Sequence, residues 1–417
     1  MASNLSTASK HHLRQLTDFT LHRRAVNSIA QGYLTNSKRP QSLVMGVYPT
    51  HLKRGRGCHV WDHSGKKYID FITGLGTNLI GYANETVNSV VKSALDDGNL
   101  FSLATDHEIT AAEKLKELFP FVDLVKFCKT GSDACEAAVR IARAHTKRNL
   151  ILSDGYHGWA DGFVSLSPPA YGVPPSDALQ FAKLSEHDIT DKVAAVIVEP
   201  VITDLSTQRI EYLKALREIC TKRGVVLIFD EVITGFRFPK FSVSGYLGII
   251  PDLICLGKAM ANGFPISAVC GKRSIMNCEE YFVSSTYAGC VDALVASKKV
   301  MELLQKTYKI EDLWSKGTDF INTFNSYWPE GIRIEGYPTR GVFVGDPIVK
   351  ALLFQEACFA GILLGPSFWF NFPLAAESFG VLQTLKEIVD RIKSGGVKLL
   401  GEMPTSPFAQ RVREIKG

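Results

Sequence analysis

VVLIFDE, Val225 to Glu231, sets five apolar residues directly ahead of two acids. A short apolar run with no polar interruption is the pattern of a strand buried on both faces, as in a parallel sheet covered by helices. The pattern recurs outward from this stretch in AAVIVEP (Ala194–Pro200), NLILSDG (Asn149–Gly155), LVKFCKTG (Leu124–Gly131) and DLICLGK (Asp252–Lys258). Between these strands, ETVNSVVKSAL, EITAAEKLKELF, DACEAAVRIARAHT and IEYLKALREICTKRG place apolar residues at helical spacing. Alternation of this kind predicts an α/β fold with a mostly parallel sheet.

The flanks read differently. GRGCHVWDHSGKKYIDF, Gly55 to Phe71, predicts two short strands around an Asp-His-Ser-Gly turn. From about Lys306 the texture becomes α+β, with helical stretches around Leu313–Tyr327 and Leu382–Ile392. The expected organisation is an N-terminal segment over 1–70, a large domain over 71–305 and a smaller C-terminal domain over 306–417. The smaller domain is expected to be shared by both termini. Leu13–Phe19 is weakly helical, and the dozen residues before it read as a disordered tail. SLSPPAYGVPPSDA, Ser165 to Ala178, is a proline-rich loop of lid-like length.

Composition narrows the function classes. With 417 residues, 46% of them hydrophobic and 21% charged, the chain is an ordinary globular protein, long enough for two domains. No apolar run approaches the ~18 residues of a membrane-spanning helix. A net charge of +5 is small for this length and does not point to nucleic acid. The nine cysteines are scattered without a C-x-x-C pair, which argues against a disulfide framework or a zinc site and predicts a cytoplasmic protein.

Ligands of open parallel sheets bind beyond the carboxyl ends of the strands. Glu199, Asp230, Glu231 and Lys258 are delivered there, and TGSDA (Thr130–Ala134) follows another strand and opens a helix. Apolar residues followed by Asp-Glu also describe the magnesium-holding strand of a P-loop NTPase. That fold needs G-x-x-x-x-G-K-[ST], and none of Gly65-Lys66, Gly257-Lys258 and Gly271-Lys272 is followed by Ser or Thr. G-x-G-x-x-G is absent too, since GLGTNLIG has Leu79 at the third glycine position. What remains suits pyridoxal 5'-phosphate. Its aldehyde needs a lysine amine, its ring nitrogen a buried carboxylate and its phosphate a helix N-terminus with glycine. Lys258, Asp230 and Gly131-Ser132 meet those three demands.

At these residues the chain resembles the class III aminotransferases of pyridoxal phosphate fold type I, and within them glutamate-1-semialdehyde 2,1-aminomutases most of all. The resemblance runs from about Thr35 to Ala293, and more thinly to Ile392. It is carried in order by GRGCHVWDHSGKKYIDF, VKFCKTGSDACEAAVRIARAHT, DGYHGWADGF, VAAVIVEPV, GVVLIFDEVITGFR, PDLICLGKAMANGFPISAV and STYAG. It implies a seven-stranded, mostly parallel sheet, with Lys258 as the internal aldimine lysine and Asp230 at the pyridine nitrogen. Gly131 and Ser132, flanked by Thr130, would hold the phosphate. Tyr156 and Val232 would lie on the two faces of the ring. Thr286 would reach the phosphate across a homodimer interface, and Arg39, in TNSKRP, would clamp a substrate carboxylate. The chain departs from the aminomutases at SFWFNF, Ser367 to Phe372, where they carry an acid. The expected activity is therefore amino transfer between an amine or amino acid and a carbonyl compound, with the aminomutase reaction as the alternative. A non-catalytic cofactor-binding relative is the remote one, and racemases and decarboxylases share similar folds.

Overall fold

The five strands read from the sequence, and two more, build one seven-stranded sheet. Its order is Leu124–Cys128, Ser267–Gly271, Leu253–Leu256, Val226–Asp230, Val193–Val198, Leu150–Asp154 and Ala178–Gln180. The strands run parallel except Ser267–Gly271, which is antiparallel to both neighbours. The fold is α/β with this large sheet in one unit and a smaller mixed unit beside it in the chain, as a fold type I transferase requires. It is seen in a computed structural model that describes residues 19–164, 172–173, 178–180, 184–277 and 281–405.

Two compact units share the chain. One comprises Met1–Thr73, Gly81–Ala83 and Lys316–Gly417, and the other Gly74–Ile80 and Asn84–Ser315. The proline-rich Ser165–Ala178 stretch lies outside the described residues except for Gly172, Val173 and the backbone of Ala178, and the Leu13–Phe19 helix lies outside them except for Phe19.

In the larger unit, the apolar strands are explained by cover on both faces. Val226 and Ile228 pack with Ala134, Ala138 and Ile141 of the helix Gly131–Thr146. Leu227 and Phe229 pack with Leu213, Leu216 and Cys220 of the helix Thr207–Arg223. Each valine, leucine, isoleucine or phenylalanine among them contributes about 1.5–3 kcal/mol on burial. Strand alternation then puts Asp230 on the same face as Val226 and Ile228, toward the Gly131–Thr146 helix. Among the described residues, no helix is long and apolar enough to cross a membrane.

In the smaller unit, the strands Leu52–Arg56, His59–Asp62, Lys67–Asp70 and Ile362–Leu363 form one sheet in that order. The expected turn sits between the second and third. Asp62 Oδ1 accepts from the amides of Ser64 (2.9 Å) and Lys66 (3.0 Å), and Gly65 takes a φ of 89°. The stretch that departs from the aminomutases is core here. Phe368 and Phe370 are fully buried and Phe368 stacks on Phe320 at 5.3 Å, while Asn371 caps the helix Phe372–Lys393 through the amide of Leu374 (2.9 Å).

Candidate active site

The carboxyl end of the Val226–Asp230 strand gathers most of the candidate residues. Asp230 is 5% exposed and takes three donors. His157 Nδ1 lies 2.8 Å and Cys135 Sγ 3.4 Å from Oδ2, and the amide of Val232 donates to Oδ1 at 3.1 Å. Cys135 comes from the second turn of the Gly131–Thr146 helix, on the face that strand alternation gives to Asp230. A hydrogen bond with Cys255, then burial, then the Asp230 charge push the Cys135 thiol well up. It therefore stays a neutral donor to the carboxylate.

The helix start is fixed by reciprocal bonds. The amide of Asp133 donates to Thr130 Oγ1 (3.2 Å) and the amide of Thr130 to Asp133 Oδ2 (2.8 Å). Thr130 O also accepts from Ser267 Oγ at 2.6 Å, so the antiparallel strand holds this turn. The amides of Gly131 and Ser132 stand in the first turn, where an α-helix offers no internal acceptor. Glycine is required at 131, because a Cβ there would fall 2.6 Å from Val232 Cγ1. Val232 is also the neighbour of Gly257, whose Cβ would meet the same methyl at 3.4 Å. The helix start at Gly131, the apolar Val232 and the lysine turn are thus adjacent.

Lys258 follows the strand Leu253–Leu256, in which Cys255 is the register partner of Asp230. The residue is half-buried and opens a tight turn, Lys258–Ala261, with its own φ at 42°. A left-handed conformation in a non-glycine residue costs about 1 kcal/mol or more and persists where the surroundings enforce it. Here Ala259, Met260 and Ala261 are fully buried, and Asn262 Oδ1 accepts from the amide of Ile80 at 3.0 Å.

The loop after Leu150–Asp154 is clamped at both ends. Glu199 Oε2 accepts from the amide of Tyr156 (2.8 Å), and Ser132 Oγ accepts from that of Trp159 (3.2 Å). Gly155 and Gly158 have φ of 117° and 113°, and a Cβ on either would strike Glu199 or Ser132. The clamps aim the buried His157 at Asp230 and leave Tyr156 exposed. The rim's other acid, Glu231, is a structural pin. It accepts from the amides of Val243 (2.7 Å) and Ser244 (2.9 Å) and from the hydroxyls of Ser244 (2.5 Å) and Thr234 (2.9 Å).

Two further candidates lie on other segments of the chain. Thr286 is exposed, on a turn closed by the amide of Ala288 to Ser285 O at 3.1 Å. Arg39 belongs to the smaller unit, where Nε donates to Ser42 Oγ (3.2 Å) and Nη2 to Thr405 O and Oγ1 (both 3.1 Å). Residue reading missed His157 and Cys135. The signal for His157 was the Gly-Tyr-His-Gly loop after a strand, and that for Cys135 its place one helical turn beyond Gly131.

Comparison with known proteins agrees with the geometry. The family model described as "Aminotransferase class-III" matches residues 44–176 and 174–345. The chain is 32% identical over 345 residues to a 3-aminobutyryl-CoA aminotransferase of Cloacimonas acidaminovorans, covering 79% of this chain and 81% of that protein. It is 31% identical over 380 residues to a glutamate-1-semialdehyde 2,1-aminomutase of Syntrophobacter fumaroxidans, covering 80% and 87%. Among solved structures, the FumI protein of Sphingopyxis sp. MTA144 superposes with a TM-score of 0.82 at 23% identity, covering 93% of this chain and 98% of that one. That likeness concerns the fold. The chain belongs to the class-III aminotransferase family.

Proposed function

We propose that this chain is a pyridoxal 5'-phosphate-dependent aminotransferase that moves an amino group between an amine or amino acid and a carbonyl compound. One observation carries the reading. A buried carboxylate, a helix start packed on an apolar methyl and a strained lysine turn converge at neighbouring strand ends. The donor set fits the cofactor's three chemical ends, and the glycine at 131 keeps the helix amides open beside Val232.

Bound there, pyridoxal phosphate would supply an aldehyde for attachment and an electron-accepting ring. Asp230 would hold the proton at the ring nitrogen, and His157, with Cys135, would orient its carboxylate. Gly131 and Ser132 would bind the phosphate, with Thr130 fixing their turn. Val232 and Tyr156 would cover the two ring faces. The Lys258 amine would bind the aldehyde and, once released by the incoming amine, move the proton at the substrate carbon. Thr286 would act in a homodimer. Tyr287 on its turn is exposed, as are the apolar Leu100, Phe101, Leu103 and Ile109, and the amide of Val291, shortly after the turn, donates to Asn99 O (2.9 Å). Arg39 would bind a substrate carboxylate.

The aminomutase reaction is the second reading, favoured by the likeness to aminomutases. A panel of amines, each offered with pyruvate, 2-oxoglutarate or glutamate semialdehyde, decides between them. Amino transfer predicts that the amine bleaches the visible band of the lysine-bound cofactor and that a keto acid restores it. Turnover of glutamate semialdehyde alone, with no second carbonyl compound, marks the mutase. A band indifferent to every amine refutes both.

A further inference from the structure

We propose that Cys135, His157 and Asp230 form a binding site for a divalent cation of the zinc type, open to the metal while the cofactor is absent. Cys135 Sγ, one ring nitrogen of His157 and a carboxylate oxygen of Asp230 all lie within 4.8 Å of one another, and all three residues are buried. A tetrahedral zinc ion with bonds of about 2.0–2.3 Å sets its ligands about 3.3–3.7 Å apart. The sulfur–oxygen pair is already at 3.4 Å. The nitrogen–oxygen pair is at hydrogen-bond distance, 2.8 Å, and opens by about half an ångström once the shared proton leaves.

The three ligands are held independently of any ion. Cys135 sits on a helix capped by Thr130, His157 on a loop clamped by Glu199 and Ser132, and Asp230 on a central strand. Such preorganisation lowers the cost of binding. Mixed sulfur, imidazole and carboxylate donors select zinc or cobalt over magnesium or calcium. The charges close, because one thiolate and one carboxylate neutralise a dication in a buried place. Binding forms the metal–sulfur bond and releases the Cys135 thiol proton to solvent. The His157 proton moves from Nδ1 to Nε2, a buried nitrogen with no hydrogen-bond partner among the described residues.

The smaller unit carries a second group of the same residue types that serves as a contrast. Cys58 Sγ faces His59 Nδ1 at 3.8 Å, whereas Glu377 Oε1 faces Nε2 at 4.0 Å. One ligand atom from each of these residues also lies within 4.8 Å of the others, but His59 is only half-buried and Glu377 is exposed, so this group is open to solvent where the Cys135 group is enclosed. The consequence for loading rests on the function proposed above. If Asp230 receives the ring nitrogen, metal and cofactor exclude each other, and zinc delays conversion of the apoprotein to the loaded form.

The full chain, stripped of cofactor, is titrated with Co2+ and then with Zn2+. The expected result is a near-ultraviolet thiolate-to-cobalt band at one ion per chain, abolished by Zn2+. The band is lost in Cys135→Ser and weakened at least ~10-fold in affinity in His157→Gln, but kept in Cys58→Ser. X-ray absorption at the zinc edge of the unmodified chain should show one sulfur and at least one imidazole nitrogen. This second measurement holds even if a variant folds poorly. Added pyridoxal 5'-phosphate should displace the ion. No cobalt band, a zinc shell without sulfur, or a band that survives Cys135→Ser but not Cys58→Ser overturns the site. A chain that takes the cofactor with the ion still bound also overturns it and leaves the proposed function standing. A chain that binds the ion as described but never the cofactor retains the site and loses the proposed function.

Discussion

Asp230 and Asp252 stand at opposite ends of neighbouring parallel strands, and their partners differ in kind. Asp252 accepts from Lys272 Nζ (2.6 Å), Arg217 Nη1 (2.8 Å) and the amide of Leu227 (2.9 Å). Burial pushes its carboxyl up, but Lys272, the Leu227 amide and Arg217 together hold it below the ordinary carboxylate range. Asp230 accepts from an imidazole, a thiol and a backbone amide. The first carboxylate is neutralised by fixed cations and fastens the sheet. The second has no lysine or arginine among these partners, and in the function proposed above it meets the cofactor ring. In that reading one fold builds a static end and a chemical end from the same residue type, and the neighbours decide which is which.

The sharpest break in that comparison should come from Lys258→Ala. Loss of the Lys258 amine is expected to cut turnover by about 10⁴-fold or more while the melting temperature stays near that of the parent. Asp230→Ala should follow with a loss of about 10²–10³-fold in kcat, measured at saturating cofactor. Equal turnover in either variant would erase the distinction between the two ends.

Asp252→Asn should do the reverse, costing about 3 kcal/mol in urea unfolding with kcat unchanged, because it leaves Arg217 and Lys272 beside a neutral group. Its pH dependence has a definite sign. A depressed folded pKa gives stability that is present above the unfolded carboxylate pKa and is lost as pH falls through the folded value. The parent should therefore lose stability in acid that the variant no longer has to lose. Glu231→Gln should have the smallest effect, about 1–2 kcal/mol, by turning one acceptor into a donor against amides that need acceptors. Burial, partly offset by Ser244, Val243 and Thr234, raises the Glu231 carboxyl. Its contribution is then full below the unfolded pKa and declines as pH rises through the folded one, so the deficit of the variant should shrink toward neutral pH.

The strands of the large sheet were readable because burial on both faces leaves an unbroken apolar run, as at Val226–Phe229. The antiparallel strand Ser267–Gly271 was hidden by its small residues, alanine and glycine among them, which give little periodic signal. Strand-end placement drew attention to Asp230 and Lys258, since both follow apolar runs directly. His157 and Cys135 escaped because their importance lies in what they touch, and contacts between a loop, a helix and a strand leave no spacing in the chain. Glu231, delivered to the same strand end as Asp230, is taken up by four donors. The aromatics of Ser367–Phe372 mark a departure from the aminomutases in the sequence, and the structure adds that Phe368 and Phe370 lie in the interior of the smaller unit.

The central claim is that the Lys258 amine condenses with the aldehyde of pyridoxal 5'-phosphate under a ring held cationic by Asp230. Borohydride reduction of the full chain with that cofactor, followed by peptide mass spectrometry, tests it most directly. A single phosphopyridoxyl adduct on Lys258 is the predicted result. An unmodified Lys258, or an adduct spread over surface lysines, would contradict it.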